Sequence, residues 1–225
     1  MLRVILFDLD GTLMDTAPEI ADAVNDSLHR LGYAPADEAR VRGWIGDGAR
    51  ALLGKALAHA GAPASAAAAA WPAFADAYEK RCGTRSRVHD GVRPLLARLR
   101  QQGLKCVLLT NKEGAFAQRL LALHGLAGAV DLLVAGDTLA VKKPDPAVVN
   151  HALALLGAAP DEALLVGDSV TDVRTARAAG VPVWLVRHGY PAGDLAGADA
   201  PDGFIEHFDA FLPLRSKAES GNSLV

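Results

Sequence analysis

From about residue 89 onward the chain alternates between two patterns. Short, continuous apolar runs at 105–110, 131–135, 163–166 and 181–186 are separated by segments of helical periodicity at 91–102, 113–124, 145–156 and 170–179. A strand that is apolar on every residue is covered on both faces, and strands joined through helices run parallel. Residues 3–7 form another such run and belong to the same sheet. A last short strand near 203–205 and a turn of helix at 207–212 complete the pattern. The expected fold class is therefore α/β: a doubly wound parallel sheet.

Residues 17 to about 82 break the alternation, because they contain only helical patterns. Ile20, Val24, Leu28 and Leu31 lie at helical spacing in 17–31. Thr16 and Glu19 have the spacing of a capping box, and Gly32 closes the helix. Further helices are expected at 36–42, 48–60 and 64–82, with Pro72 breaking the last and starting a new one. The alanine tract around it reads as helix filler. The expected organisation is an α/β core of 1–14 and 88–214, a small all-helical segment inserted after the first strand at 15–87, and a flexible tail at 215–225.

The chain has 225 residues, a formal net charge of −3 and no long run of one sign. That excludes the basic footprint of a nucleic-acid binder or a protein of anionic membranes. The first apolar run is stopped by Asp8, too early for a signal peptide, and no stretch is suited to span a bilayer. Cys82 and Cys106 match no metal-ligand spacing and read as free thiols in a reducing, cytoplasmic setting. The histidines form no metal-spaced pair.

In an open parallel sheet, ligands bind beyond the carboxyl ends of the strands. The first strand ends in Asp8-Leu9-Asp10-Gly11-Thr12. Two carboxylates two residues apart share one face of an extended chain, where a cation would relieve their repulsion. The next strand ends in Thr110-Asn111. The third leads to Gly136-Asp137 and then Lys142-Lys143-Pro144, and the fourth to Gly167-Asp168-Ser169 with Asp172 beyond. In the helical segment, Gly43-Trp44-Ile45-Gly46-Asp47-Gly48 opens a helix with Arg50 in its first turn. Free N–H groups there would form an anion site. Asp172 also reads as a charge on the N-terminus of helix 170–179, and Trp44 as a core residue of the helical segment.

Asp8-x-Asp10-Gly11-Thr12, the strand-end Thr110, Lys143-Pro144 and Gly167-Asp168-x-x-x-Asp172 occur in an order that resembles the haloacid dehalogenase superfamily of phosphohydrolases. The helical insertion is similar to that family's small cap. The loop 44–48, the stretch 134–137 before Lys142-Lys143-Pro144-Asp145-Pro146, and His188-Gly189-Tyr190 most resemble the bacterial phosphoglycolate phosphatases within it. The resemblance implies a Mg²⁺-dependent phosphatase of a small phosphate ester, 2-phosphoglycolate above others. It implies Asp8 as nucleophile, forming an aspartyl-phosphate, and Asp10 as general acid and base. The metal would take Asp8, the Asp10 carbonyl and Asp168, with Asp172 orienting a bound water. Thr110, Asn111 and Lys143 would hold the phosphoryl oxygens. Lys143 is preferred to Lys142 because the family's lysine directly precedes the proline. Trp44, Ile45, Gly46, Asp47, Gly48 and Arg50 are the candidates for substrate choice, and a monomer or homodimer is expected. Competing readings are a phosphatase or phosphomutase of another small metabolite, such as a sugar phosphate, and a phospho-accepting signalling receiver domain. A dehalogenase is disfavoured by the presence of Asp10.

Overall fold

The computed structural model describes residues 1–190 and 195–211. The strands are β1 (Val4–Phe7), β2 (Met14–Asp15), β3 (Arg87–Val88), β4 (Lys105–Leu109), β5 (Leu132–Val134), β6 (Ala163–Gly167), β7 (Val183–Val186) and β8 (Gly203–Ile205). The helices are α1 (Ala17–Arg30), α2 (Glu38–Arg42), α3 (Ala49–His59), α4 (Ala66–Arg81), α5 (Val92–Gln101), α6 (Gly114–Leu123), α7 (Ala147–Leu156) and α8 (Val170–Ala179). Six strands form one sheet in the order β5-β4-β1-β6-β7-β8, all parallel.

β1 lies between β4 and β6, and the sheet grows outward from it in both directions. The carboxyl end of β1 is therefore the switch point at which a crevice opens. Successive β1 side chains face opposite layers. Ile5 and Phe7 join one apolar cluster with Leu95, Leu99 and Leu120, and Val4 and Leu6 join another with Val149, Leu153 and Val173. The first cluster continues without interruption into Ile20, Val24, Leu53 and Phe74 of the helical segment.

That segment, α1–α4, leaves the sheet at β2 and returns at β3. These two strands pair antiparallel, Met14 with Val88 and Asp15 with Arg87. At two residues each, they carry no periodicity for a sequence reading to detect.

Several local expectations are corrected. Pro72 does not break the helix, and α4 runs through it. The carbonyl four residues earlier belongs to exposed Ala68, where water can replace the lost hydrogen bond, while Ala70, Phe74, Ala77 and Tyr78 anchor the helix on both sides. Thr16 and Glu19 form no capping box: the Thr16 hydroxyl turns to Asp10, and Glu19 accepts from the backbone N–H groups of Gly83, Arg85 and Ser86. The helix expected at 145–156 begins at Ala147 with Pro146 as its cap, and the Asp145 carboxylate accepts from the Ala147 N–H at 2.9 Å. Near 207–212 the described residues form only turns, closed by Ala210 N–H to His207 O and Phe211 N–H to Phe208 O. Residue 212, the end of the expected core and the tail at 215–225 lie outside the described residues.

Candidate active site

The β1 ladder continues one residue past the strand, with the Asp8 N–H donating to Val166 O at 2.9 Å. The Thr110 N–H likewise donates to Val134 O at 3.0 Å. Asp8, Thr110 and Asp168 thus stand at the ends of three adjacent strands, β1, β4 and β6, held by the sheet itself. A tight turn follows Asp10, in which Gly11 has a φ of +86°. A Cβ there would lie 2.2 Å from Asp168 Oδ2, so only glycine admits the Asp168 carboxylate. Gly189 makes the same concession from the other side, since its Cβ would lie 2.1 Å from the Asp168 Cβ.

Lys143 is the central cation. Its Nζ lies 2.9 Å from Asp8 Oδ1 and 2.7 Å from Asp172 Oδ1, and all three side chains are buried. The other Asp172 oxygen accepts from the Ser169 hydroxyl at 2.7 Å and the Ser169 N–H at 3.1 Å. Ser169 in turn caps α8, completing a capping box with Asp172. Asp172 therefore spends both oxygens on Lys143 and the start of α8. The Asp168 Oδ2 accepts from the Tyr190 N–H at 2.8 Å, and its Oδ1 accepts from the Thr12 hydroxyl at 3.3 Å.

Burial disfavours charge on all these groups, and the outcome differs with their partners. Burial pushes Asp8 up to about 6, against the opposing pull of Lys143 and with Asp172 and Asp10 adding to the rise. Burial also lifts Asp168 well above the ordinary carboxylate range, reinforced by Asp8 and Asp172. For Asp172, burial is outweighed by Lys143 and the Ser169 hydrogen bonds, which hold it below its usual value. Lys143 resists burial through Asp172 and Asp8 and stays protonated. Two carboxylates, Asp8 and Asp168, are left short of positive charge. Oxygens of Asp8, Asp168 and Asp172 lie within 4.8 Å of one another, a buried acidic group that could hold a metal ion. The hard oxygen donors and the unmet charge fit a small divalent cation.

Asp10 points away from this cluster. Its carboxylate accepts from the Thr16 hydroxyl at 2.6 Å and from Lys112 Nζ at 2.9 Å. Asn111 donates through Nδ2 to Gly46 O at 2.9 Å and to Lys143 O at 3.0 Å, which ties the 43–48 loop to the core. Lys142 donates to the Asp47 carbonyl from outside the cluster. The Asp47 carboxylate is engaged by Lys55 and Thr171.

A cavity of about 40 Å³ is lined by Asp8, Asp10, Thr110 and Asn111 from the sheet edge, and by Ile45, Gly46 and Gly48 from the helical segment. Trp44 is absent from its wall and packs near His59, with ring centroids 5.5 Å apart. Arg50 is exposed, with its guanidinium 4.1 Å from the centre of the Trp71 ring, and does not reach the cavity. Lys112 and Tyr78 are site residues absent from the sequence reading, while Thr16 entered it only as a cap and Tyr190 only as part of the resemblance. Lys112 had a local signal, its position directly after the strand-end pair Thr110-Asn111.

This fold and site define a hydrolase class. Residues 2–180 match the family model of the haloacid dehalogenase-like hydrolases, and the chain belongs to that family. The family placement sets aside the signalling receiver reading. A phosphoglycolate phosphatase of Pseudomonas putida is 40% identical over 226 residues, covering 99% of this chain and 83% of that protein. A plasmid-borne phosphoglycolate phosphatase of Cupriavidus necator is 44% identical over 212 residues, covering 92% of each. A crystal structure described as a predicted phosphoglycolate phosphatase from Haemophilus somnus superposes with a TM-score of 0.87 at 29% identity, covering 92% of this chain and 95% of that one. The relatives that this chain matches over most of its length are thus phosphoric monoester hydrolases.

Proposed function

We propose that this protein hydrolyses 2-phosphoglycolate to glycolate and phosphate with the help of Mg²⁺. The observation that carries the reading is the buried Asp8–Lys143–Asp172 relay beside Asp168 at the carboxyl end of the central strand. The names of the relatives support the substrate.

Lys143 neutralises one oxygen of Asp8, leaving the other to attack phosphorus. The bond from phosphorus to the ester oxygen breaks, and Asp10 delivers a proton to the departing alkoxide. Thr110 and Lys143 would bind the phosphoryl oxygens, with Asn111 contributing its backbone N–H because its amide already donates to the Gly46 and Lys143 carbonyls. Water then attacks the aspartyl-phosphate, Asp10 takes its proton, and the bond from phosphorus to Asp8 breaks. Asp8, Asp168 and the Asp10 carbonyl would hold Mg²⁺, which supplies positive charge to the phosphoryl group and keeps Asp8 ionised. Asp172 positions Lys143 through their 2.7 Å contact and anchors α8.

In this reading α1–α4 form the cap of 15–87, which opens and closes on the paired β2 and β3 and controls water at Asp8. Ile45, Gly46 and Gly48 bound the substrate from that side, and Asp47, held by Lys55 and Thr171, supports the loop. No helix among the described residues is long and apolar enough to cross a membrane. Cys82 and Cys106 are free and buried, in keeping with a reducing, cytoplasmic setting.

The test is a panel of small phosphate esters ranked by kcat/KM with Mg²⁺, alongside Asp8→Asn. Phosphoglycolate among the best few, with turnover lost in the variant and on chelation, is expected. A panel in which sugar phosphates lead and phosphoglycolate trails refutes the substrate.

A further inference from the structure

Lys112 is a buried cation paired with one carboxylate and left with ammonium donors to spare. It is 7% exposed, and Asp10 Oδ2 is its one hydrogen-bond acceptor among the described residues. An ammonium carries three donors, and burying it with donors unused is costly. Its Nζ lies 4.9 Å from the centre of the Tyr78 ring. Burial works against its charge, but Asp10 and Tyr78 outweigh that and hold its proton well above the ordinary lysine range. Tyr78 presents a second anomaly: it is 3% exposed, and its buried hydroxyl has no hydrogen-bond partner. Both residues line the same cavity as Asp8, Asp10 and Thr110. Ile20, Ile45, Leu52 and Phe74 give that wall an apolar stretch, and Asn111 and Glu113 also line it.

An unused ammonium donor beside an unused phenol is complementary to an anion with at least two acceptor oxygens, whose charge a neutral hydroxyl would not supply. We propose that Lys112 and the Tyr78 hydroxyl form the subsite for a second anionic group, a carboxylate, on a short phosphate monoester. The subsite deepens the phosphatase reading above and rests on it. It moves the recognition of the carboxylate from the N–H groups of the 43–48 loop and Arg50 to α4 and the loop after β4. Lys112 also touches Asp10, so its loss will lower turnover of every substrate. The signature is therefore a ratio between two substrates, which cancels that common effect.

The experiment compares 2-phosphoglycolate with 2-hydroxyethyl phosphate, which replaces the carboxylate by a neutral alcohol at the same chain length. In the unaltered protein kcat/KM favours phosphoglycolate. Lys112→Met lowers that preference by about tenfold to a hundredfold, the loss of a charge-assisted hydrogen bond. Tyr78→Phe, which leaves Asp10 untouched, lowers it by about twofold to tenfold. A preference that survives both substitutions overturns the subsite while the phosphoglycolate reading stands. Turnover of both esters with no preference in the unaltered protein also overturns the subsite, and the phosphatase reading survives. A binding measurement covers the case of no turnover. Calorimetry on Asp8→Asn, with and without Lys112→Met, compares 2-phosphoglycolate with inorganic phosphate. Selective weakening of phosphoglycolate supports the subsite, and equal weakening of both ligands, or none, overturns it.

Discussion

Replacing Lys143 by Met isolates the electrostatic core of the site. Lys143 is 4% exposed and is the shared partner of Asp8 at 2.9 Å and Asp172 at 2.7 Å. Methionine nearly preserves volume and stem, so the change removes one charge with little loss of packing. Two buried carboxylates are then left without their cation. Breaking a buried pair by deleting one partner costs about 3–5 kcal/mol. For a chain of this length, that lowers the melting temperature by roughly 6–20 °C. The penalty depends on pH in a defined direction. Without Lys143 the folded-state affinities of Asp8 and Asp172 for protons rise above those of the unfolded chain. The folded variant then binds more protons than its unfolded state, and its stability falls as pH rises through the raised values. In the unaltered protein Lys143 keeps Asp172 depressed, while Asp8, raised to about 6, and Asp168 already cost some stability as pH rises, so only the further rise in the variant enters the gap. The gap between the two should therefore be widest near pH 8 and should shrink toward pH 5, where the variant's buried carboxylates take up protons. The assay is urea unfolding of both proteins, in chelator, at the two pH values. A gap below about 1 kcal/mol at pH 8, the size of an exposed pair, would refute the reasoning. So would a gap that does not change with pH.

Two further predictions concern the joint between sheet and helical segment. Tyr190 accepts from the N–H groups of Thr16 at 2.7 Å and Ala17 at 2.9 Å and donates to Asp15 at 2.8 Å, all through one hydroxyl. Tyr190→Phe leaves buried donors at the start of α1 unpaired and should cost about 1–3 kcal/mol in urea unfolding; an unchanged midpoint would show that the hydroxyl does not hold this joint. His89 has a buried Nε2 without a partner among the described residues and packs against His188, with ring centroids 4.1 Å apart. Burial pushes His89 down to about 4, with His188 adding to the effect. Its depressed value means that the stability is present above the unfolded pKa near 6.5 and is lost as pH falls toward 4. His89→Gln should flatten the stability profile across that window, and an unaltered slope there would contradict the assignment.

What could be read along the chain is what local chemistry determines. An unbroken apolar run such as 3–7 has to be buried on both faces, and that requirement alone implies a parallel sheet with helices on either side. The residues that end such runs, Asp8, Thr110 and Asp168, follow from the same logic, because a polar residue at the end of a buried strand marks the edge where ligands bind. The short Met14–Asp15 and Arg87–Val88 pairing could not be read this way, since two residues carry no pattern. Pro72 misled for a related reason: its local penalty is real, but contacts of Phe74 and Tyr78 with distant parts of the chain override it.

Pairing between charges belongs wholly to the tertiary structure. The sequence placed Asp8 and Asp10 together as two carboxylates sharing a face. The fold separates them, giving Asp8 to Lys143 and Asp10 to Lys112 and Thr16. Lys112 lies 102 residues from Asp10 in the chain, and Lys143 lies 29 from Asp172. Periodicity and capping act over a few residues, so sequence alone determines strands, helices and the residues at their ends. Coulomb interactions and desolvation act through space among buried groups, so which acid meets which cation is decided only once the chain has closed around them.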